Sequence, residues 1–260
     1  MSWLHELLAG AGVGLVAGLA SGFTGTSPGG GLVIFSVLLL GAEQHVAQGT
    51  SLITQIPPTG LAGARRYWQS GNRSPLQWIV WIGIGFLVGG AGGGYAAAAA
   101  SDSVLQWTYV VYLAALIAMM ALRRDGKDDA TEASASAELP WLPLLLIGLL
   151  AGFSSGFMGI GGGLAITVGL AAGLRVPQHQ AQLVSLVFSI IPTNVPAAWI
   201  YWSKGLMVGW PAVIGILAGL WIGTDLGARM ANGVSKSALR RAMIAFVSLM
   251  ALYMTHKALS

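Results

Sequence analysis

Two related stretches decide the fold of this chain: "SGFTGTSPGGGLVIF" at residues 21–35 and "SGFMGIGGGLAIT" at residues 155–167. Each sits inside a long apolar run and interrupts it with glycine, the first also with Ser27 and Pro28. In hydrocarbon every peptide N–H and C=O needs a partner, so such an interruption is tolerated only where it is buried in protein or lines a cavity. The repeated break therefore predicts an internal polar site.

The surroundings are membrane-like. Of 260 residues, 55% are apolar and only 8% charged, with a mean hydropathy of +0.72. A soluble domain carries about 25% charged residues, so this chain could not cover its own surface with charge. Stretches such as "WIVWIGIGFLVGGAGGGYAAAAA" and "VLQWTYVVYLAALIAMMAL" have helix-spanning length and lack the alternation of a membrane strand. The fold class expected is an all-α integral membrane protein. Trp68, Trp78, Trp107, Trp141, Trp202 and Trp210 fall near span ends, where indole rings seat at headgroup level. Without a single Cys there is no disulfide, thiol catalyst or Cys-based metal site, and no cofactor or metal is expected. The 13 basic residues lie mostly at span ends, which reads as topology rather than as a nucleic-acid surface. The N-terminal "MSWLHELLAG" lacks the positive region of a signal peptide, and the first span is read as retained.

The polar tract "RRDGKDDATEASASAE" marks a cytoplasmic linker, residues 123–139, between a first membrane repeat at 1–122 and a second at 140–260. Gly22, Phe23 and Gly25 recur as Gly156, Phe157 and Gly159, and Gly29 to Leu32 as Gly161 to Leu164. Gln48, Ser51 and Leu52 recur as Gln182, Ser185 and Leu186, 134 residues on, followed by Tyr67-Trp68 with Tyr201-Trp202 and Gly71 with Gly205. Such a constant spacing is a duplication. Each half reads as a broken segment (7–41; 141–174) followed by three spans, at 46–69, 76–100 and 104–122 and again at 180–203, 208–228 and 238–257.

A broken segment either crosses once or folds back as a hairpin. Single crossings make the halves parallel and leave Arg175, Arg229, Lys236, Arg240 and Arg241 outside. Hairpins invert the second half and leave only Lys204 and Lys257 outside, which the positive-inside rule prefers. Inverted repeats with external termini are the expected topology.

At a mid-membrane break, helix N-termini offer amides with partial positive charge, which favour an anion. Pro28 can open a helix without losing a needed donor. The candidate binding groups in the first break are Thr24, Gly25, Thr26, Ser27, Gly29 and Gly30, and in the second Gly159, Gly161 and Gly162. The following span adds Gln48, Ser51 and Gln55 in the first half and Gln182, Ser185, Thr193 and Asn194 in the second. Positions 48, 51, 55 and 59 share one helix face, as do 182, 185, 189 and 193. Pro57-Pro58 and Pro192 distort those helices. The bland alternatives are close helix packing by some of the 38 glycines, the reading adopted for "GFLVGGAGGGYAAAAA", and structural hydrogen bonding by the polar side chains. No Asp, Glu, Lys or Arg is placed near a span centre, where each costs about 2.5–3.5 kcal/mol. Asp225 and Arg229 read as a helix-end pair, and His45 and His179 as loop residues or proton sensors.

On these breaks, the duplicated four-segment pattern and the Pro-containing second spans, the chain resembles the TauE/SafE family of sulfite and sulfur-anion permeases. The resemblance implies a secondary transporter of the bacterial-type cytoplasmic membrane, moving sulfite, sulfonates or related organic anions, often outward. The insertion of Ser27 and Pro28 departs from a plain Gly-x-Gly-Gly-Gly pattern.

Enzyme readings fail on the residues. "FSSG" (153–156) and "LASG" (19–22) lack the first glycine of a Gly-x-Ser-Gly protease motif, and His5, His45, His179 and His256 lie near segment ends. "GIGGG" has no following Lys-Ser/Thr, so it is no P-loop. Partners reduce to a small anion, the lipid bilayer and a coupling proton or other ion. The expected mechanism docks an oxyanion between the two breaks near the midplane, touched by Gln48, Ser51, Gln182 and Ser185, with the halves rocking around it. An anion channel without coupling is the alternative.

Overall fold

The computed structural model describes residues 3–24, 27–58, 74–122, 139–176, 178–231 and 236–259. Thr59, Arg65, Arg66, Tyr67, Trp68, Gly71, Arg73 and the linker tract lie outside them. Among the described residues the regular elements are helical: α1 (Trp3–Thr24), α2 (Gly29–Leu39), α3 (Gln44–Thr54), α4 (Leu76–Ala99), α5 (Asp102–Leu122) and α6 (Trp141–Met158). They continue with α7 (Gly163–Val168), a π-helical turn (Gly169–Gly173), α8 (Gln178–Phe188), α9 (Val195–Ser203), α10 (Trp210–Ala231) and α11 (Lys236–Leu259).

Among the described residues four stretches are long and apolar enough to cross a membrane: Trp3–Gly22, Leu76–Ala99, Trp141–Met158 and Trp210–Gly227. They belong to α1, α4, α6 and α10, and they associate in two pairs. Lipid tails are as apolar as leucine, so membrane helices gain by packing closely rather than by hiding from solvent. In the first pair, a methyl group added at Gly10, Gly14 or Gly18 of α1 would strike the carbonyl of Ala212, Ile216 or Leu220 on α10. Reciprocally, one at Gly215, Gly219 or Gly223 of α10 would strike Leu7, Ala11 or Leu15. The numbers rise together on both helices, so α1 and α10 run parallel. The second pair repeats the arrangement: Gly85, Gly89 and Gly93 of α4 lie on the carbonyls of Leu145, Leu149 and Phe153, and Gly148, Gly152 and Gly156 of α6 on those of Ile82, Phe86 and Gly90. Packing of the glycine-rich segment, as expected, holds at Gly85, Gly89 and Gly93.

The chain forms two compact units. One contains α1, α2, α3 as far as Thr50, α5, α10 and α11; the other runs from Ser51 through α4 to Ala98 and includes α6, α7, α8 and α9. Compactness thus cuts across chain order, because each glycine pair joins a helix from before the linker to one from after it. The core of the second unit gathers Ile82, Phe86, Leu144, Ile166, Leu170, Val184 and Phe188, with the rings of Phe86 and Phe188 stacked at 6.0 Å.

Both broken segments fold back. Gly31 of α2 packs against Ala17 of α1, and Gly169 beyond α7 packs against Ile147 of α6. Had the helices continued onward, those pairs would be separated by about 20 and 33 Å at 1.5 Å per residue. The second reversal is made by Gly159 at φ 70° and Gly161 at φ 75°, left-handed conformations that glycine adopts without strain.

Three expectations need revision. The span expected at 180–203 is two helices, α8 and α9, separated by a turn over residues 189–194. Pro192 has no amide to donate and Pro196 restricts the residue before it, so distortion goes on to a complete break. The helix beginning near 46 ends at Thr54, before Pro57 and Pro58. His45 lies in the first turn of α3 rather than in a loop, its Nδ1 2.6 Å from Oδ1 of Asp102 at the start of α5. Asp225 and Arg229 form the expected exposed pair at 2.7 Å.

The glycine pairs predict that Gly14→Leu or Gly152→Leu forces the paired backbones apart, at a cost of about 3 kcal/mol or more. Gly12→Leu and Gly92→Leu, whose added groups meet open space, are expected to leave stability unchanged. Thermal melting of the four variants in detergent checks this.

Candidate functional site

The break in the second unit is built from backbone carbonyls that the reversal removes from the helical ladder. An unpaired carbonyl at membrane depth costs several kcal/mol, on the order of a lost hydrogen bond in hydrocarbon. Side-chain donors from other segments reach three carbonyls of the Gly156–Gly163 stretch. Tyr201 on α9 donates its hydroxyl to Gly156 O at 3.2 Å, and Ser51 on α3 donates to Gly159 O at 2.6 Å. Gln55 Nε2 reaches the same oxygen at 3.4 Å while bonding Ser51 O and Ser51 Oγ at 3.0 Å each. Ser185 on α8 donates to Gly163 O at 2.8 Å.

The α8–α9 turn meets this break from another side. Ser155 Oγ donates to Asn194 Oδ1 at 3.0 Å. Thr193, buried, lies 3.5 Å from Phe188 O across the turn. Two discontinuities thus share one neighbourhood, with Ser51, Ser155, Gln55 and Thr193 all buried in it. Gln182 stands half-buried on α8, one turn before Ser185.

In the first unit the break is opened by Pro28, whose carbonyl accepts from Leu32 N at 2.9 Å as α2 begins. Tyr109 on α5 is fully buried and donates to Gly30 O at 2.7 Å. Ser27 is half-buried, Gly29 is buried and Gly30 half-buried in this first break, while Gln48 is buried on α3. The side chain of Thr24, with Gly25 and Thr26, lies outside the described residues.

Of the residues selected from sequence, the second unit therefore gathers Ser51, Gln55, Gly159, Gly161, Gly162, Ser185, Thr193 and Asn194 around one reversal. The first unit keeps Ser27, Gly29, Gly30 and Gln48. Tyr109, Tyr201, Ser155, Gln44 and Ser36 were not selected. Tyr201 carried a signal, since Tyr-Trp recurs in both halves. Gln44 carried another, because Gln44-His45 recurs as Gln178-His179, again 134 residues on. Among the described residues no three of His, Asp and Glu gather as a metal site.

A multi-pass helical membrane protein with polar groups gathered at glycine breaks is the architecture of a membrane transporter. The model of the family "Sulfite exporter TauE/SafE" matches residues 10–254, and the chain belongs to that family. It is similar to "Probable membrane transporter protein YdhB" of Bacillus subtilis (strain 168), with 29% identity over 233 residues, covering 87% of this chain and 91% of that one. No solved structure matches the chain.

The carbonyl network predicts that Ser51→Ala destabilises the protein by about 1–3 kcal/mol, because it leaves buried Gly159 O with only the long bond from Gln55. Thr108→Ala, which removes an exposed hydroxyl bonded to Val104 O within one helix, is the comparison expected to stay near zero. Melting temperatures in one detergent separate the two classes.

Proposed function

We propose that this transporter exports a small oxyanion, sulfite or a sulfonate, by alternating access around its glycine breaks. The observation that carries the reading is the one-sided satisfaction of the second break. Its carbonyls at Gly156, Gly159 and Gly163 are occupied by donors from Tyr201, Ser51, Gln55 and Ser185. The first amides of the helix that follows the reversal have no acceptor within their own helix, so the polarity they offer a solute is positive. That favours an anion over a cation. Asn194, which accepts from Ser155 through Oδ1, carries two further N–H donors on its amide nitrogen.

Within this reading the halves are inverted. A hairpin adds no net crossing, and three spans add an odd number, so the second half starts from the opposite side to the first. An inverted pair of repeats is the arrangement in which rocking opens a site alternately to each face. The division into repeats at 1–122 and 140–260 belongs to the same proposal.

Purified protein should be melted with sulfite, sulfate, thiosulfate, taurine, sulfoacetate, acetate and a cation control. A ligand at one hundred times its dissociation constant adds about 2.7 kcal/mol to apparent stability. Selective stabilisation by a sulfur oxyanion or sulfonate, with saturable flux of that compound in proteoliposomes, is the expected result. Stabilisation by cations alone would overturn the reading. The topology is checked in the cysteine-free background: inverted halves predict that an impermeant thiol reagent applied outside intact cells labels Lys204→Cys and spares Arg175→Cys. The reverse pattern sinks the inversion.

A further inference from the structure

The bond between Ser155 and Asn194 lies deep within a membrane-spanning length of chain. Along α4, a methyl group added at Gly83 would meet the ring of Phe188 at the end of α8, and one at Gly94 would meet Ala197 and Ile200 of α9. The numbers rise together, so α8, the turn and α9 follow α4 in one direction. Gly156, next to Ser155, packs on the carbonyl of Gly90. Gly90 stands about 21 Å from one end of the Leu76–Ala99 span and about 13 Å from the other, at 1.5 Å per residue. At that level an N–H facing hydrocarbon has nothing to bond.

The amide of Asn194 is held in one sense. Its Oδ1 accepts from Ser155 Oγ at 3.0 Å and does not cap α9. Its backbone carbonyl accepts from Ala198 N at 2.8 Å, so the main chain here is held by the helix. Ser155 is 1% exposed and belongs to α6, which ties the acceptor arm of the planar amide to a second helix. The other arm carries two N–H donors, and among the described residues they have no acceptor. Asn194 is half-buried, and its nitrogen is not enclosed by the fold as the amide of Gln44 is. Open, unpartnered N–H groups at this depth are served only by water or a solute, so Asn194 lines a polar cavity.

We propose that Asn194 is a specificity-determining residue for transport, and that Ser155 is the positioning residue that sets the sense of its amide. With Oδ1 held by the Ser155 hydroxyl, the side chain offers a solute donors only. Turned over, it would offer a carbonyl oxygen, which repels an oxyanion and suits a cation or a protonated acid. The identity of the solute rests on the anion-transport reading; the cavity at Asn194 does not.

Sulfite flux in proteoliposomes tests the two residues on the full chain. Asn194→Leu removes both donors at similar size and is expected to lower flux about tenfold or more, the value of one hydrogen bond to a charged group. Asn194→Asp still accepts from Ser155 but puts negative charge where the donors stood, and is expected to lower flux further. Flux equal to that of the unmodified protein in either variant overturns the role of Asn194. Ser155→Ala leaves the amide in place but free. With two senses and three χ1 wells it finds the donating arrangement about one time in six, so the KM for sulfite is expected to rise up to about sixfold at unchanged kcat. Ser155→Thr, which keeps the hydroxyl, is expected to restore KM. A lowered melting temperature with unchanged KM in Ser155→Ala marks a purely structural bond and overturns the positioning role.

Asn194→Cys reports on the cavity without reference to the solute, because a thiol must ionise to react and stays inert in a dry interior. A small water-soluble thiol reagent is expected to label position 194 and to spare Leu183→Cys, a position 1% exposed on α8. Absence of labelling at 194 overturns the cavity. Labelling at 194 in a protein that carries no oxyanion upholds the cavity and refutes the anion reading, which keeps the two failures apart.

Discussion

Hydrogen bonding of the backbone at membrane depth is the constraint on which this structure depends. A helix satisfies its own amides and carbonyls; a reversal inside the membrane exposes them. Here the reversal after α6 is sustained by hydroxyls and an amide from three other segments, α3, α8 and α9, each aimed at a carbonyl of the Gly156 to Gly163 stretch. In the proposed function, the same donors that make the break tolerable also set the sign of the polarity it presents. On the proposed reading structure and selectivity are one arrangement, and the polar residues read from sequence as either structural or functional do not divide between the two.

Close approach of the long helices is what leaves room for those side chains. The glycine faces of α1 with α10 and of α4 with α6 bring backbones together along parallel paths, so the bulky side chains sit on other faces. Phe86 shows the coupling: its carbonyl lies against Gly152, while its ring stacks on Phe188 at the end of α8, just before the second discontinuity. The position of the α8–α9 turn is thus tied to the helix pair by an aromatic contact as well as by hydrogen bonds.

Much of this was legible in the sequence, for physical reasons that can be named. Glycine-rich interruptions that recur at corresponding places in the two halves betray a break, whereas the glycines of α4 pack within an unbroken helix, and polar residues at steps of three and four betray an inward face. The hairpins were legible only indirectly, through the side on which Arg175 and Arg229 would fall. The division of the 180–203 segment was understated, since one proline can kink a membrane helix or end it, and the choice depends on what lies beside it. Partner choice was not legible: spacings of four between glycines occur on several helices, and no single sequence states that Gly14 belongs with Ile216 rather than with its own half. Tyr109 was invisible for a related reason, because its acceptor is 79 residues away and its surroundings in sequence are ordinary.

The exchange of helices across the linker has a consequence for how the chain is made. Gly10 and Ala212 meet although some two hundred residues separate them. While the ribosome is still producing the second half, α1 and α4 are already in the bilayer with their glycine faces covered by lipid. The first half therefore has no finished fold of its own, and α1 waits for almost the whole chain before α10 arrives. Contacts of such sequence separation form late. A message truncated anywhere before codon 210 yields a product in which α1 packs on α2 but lacks α10 on its glycine face.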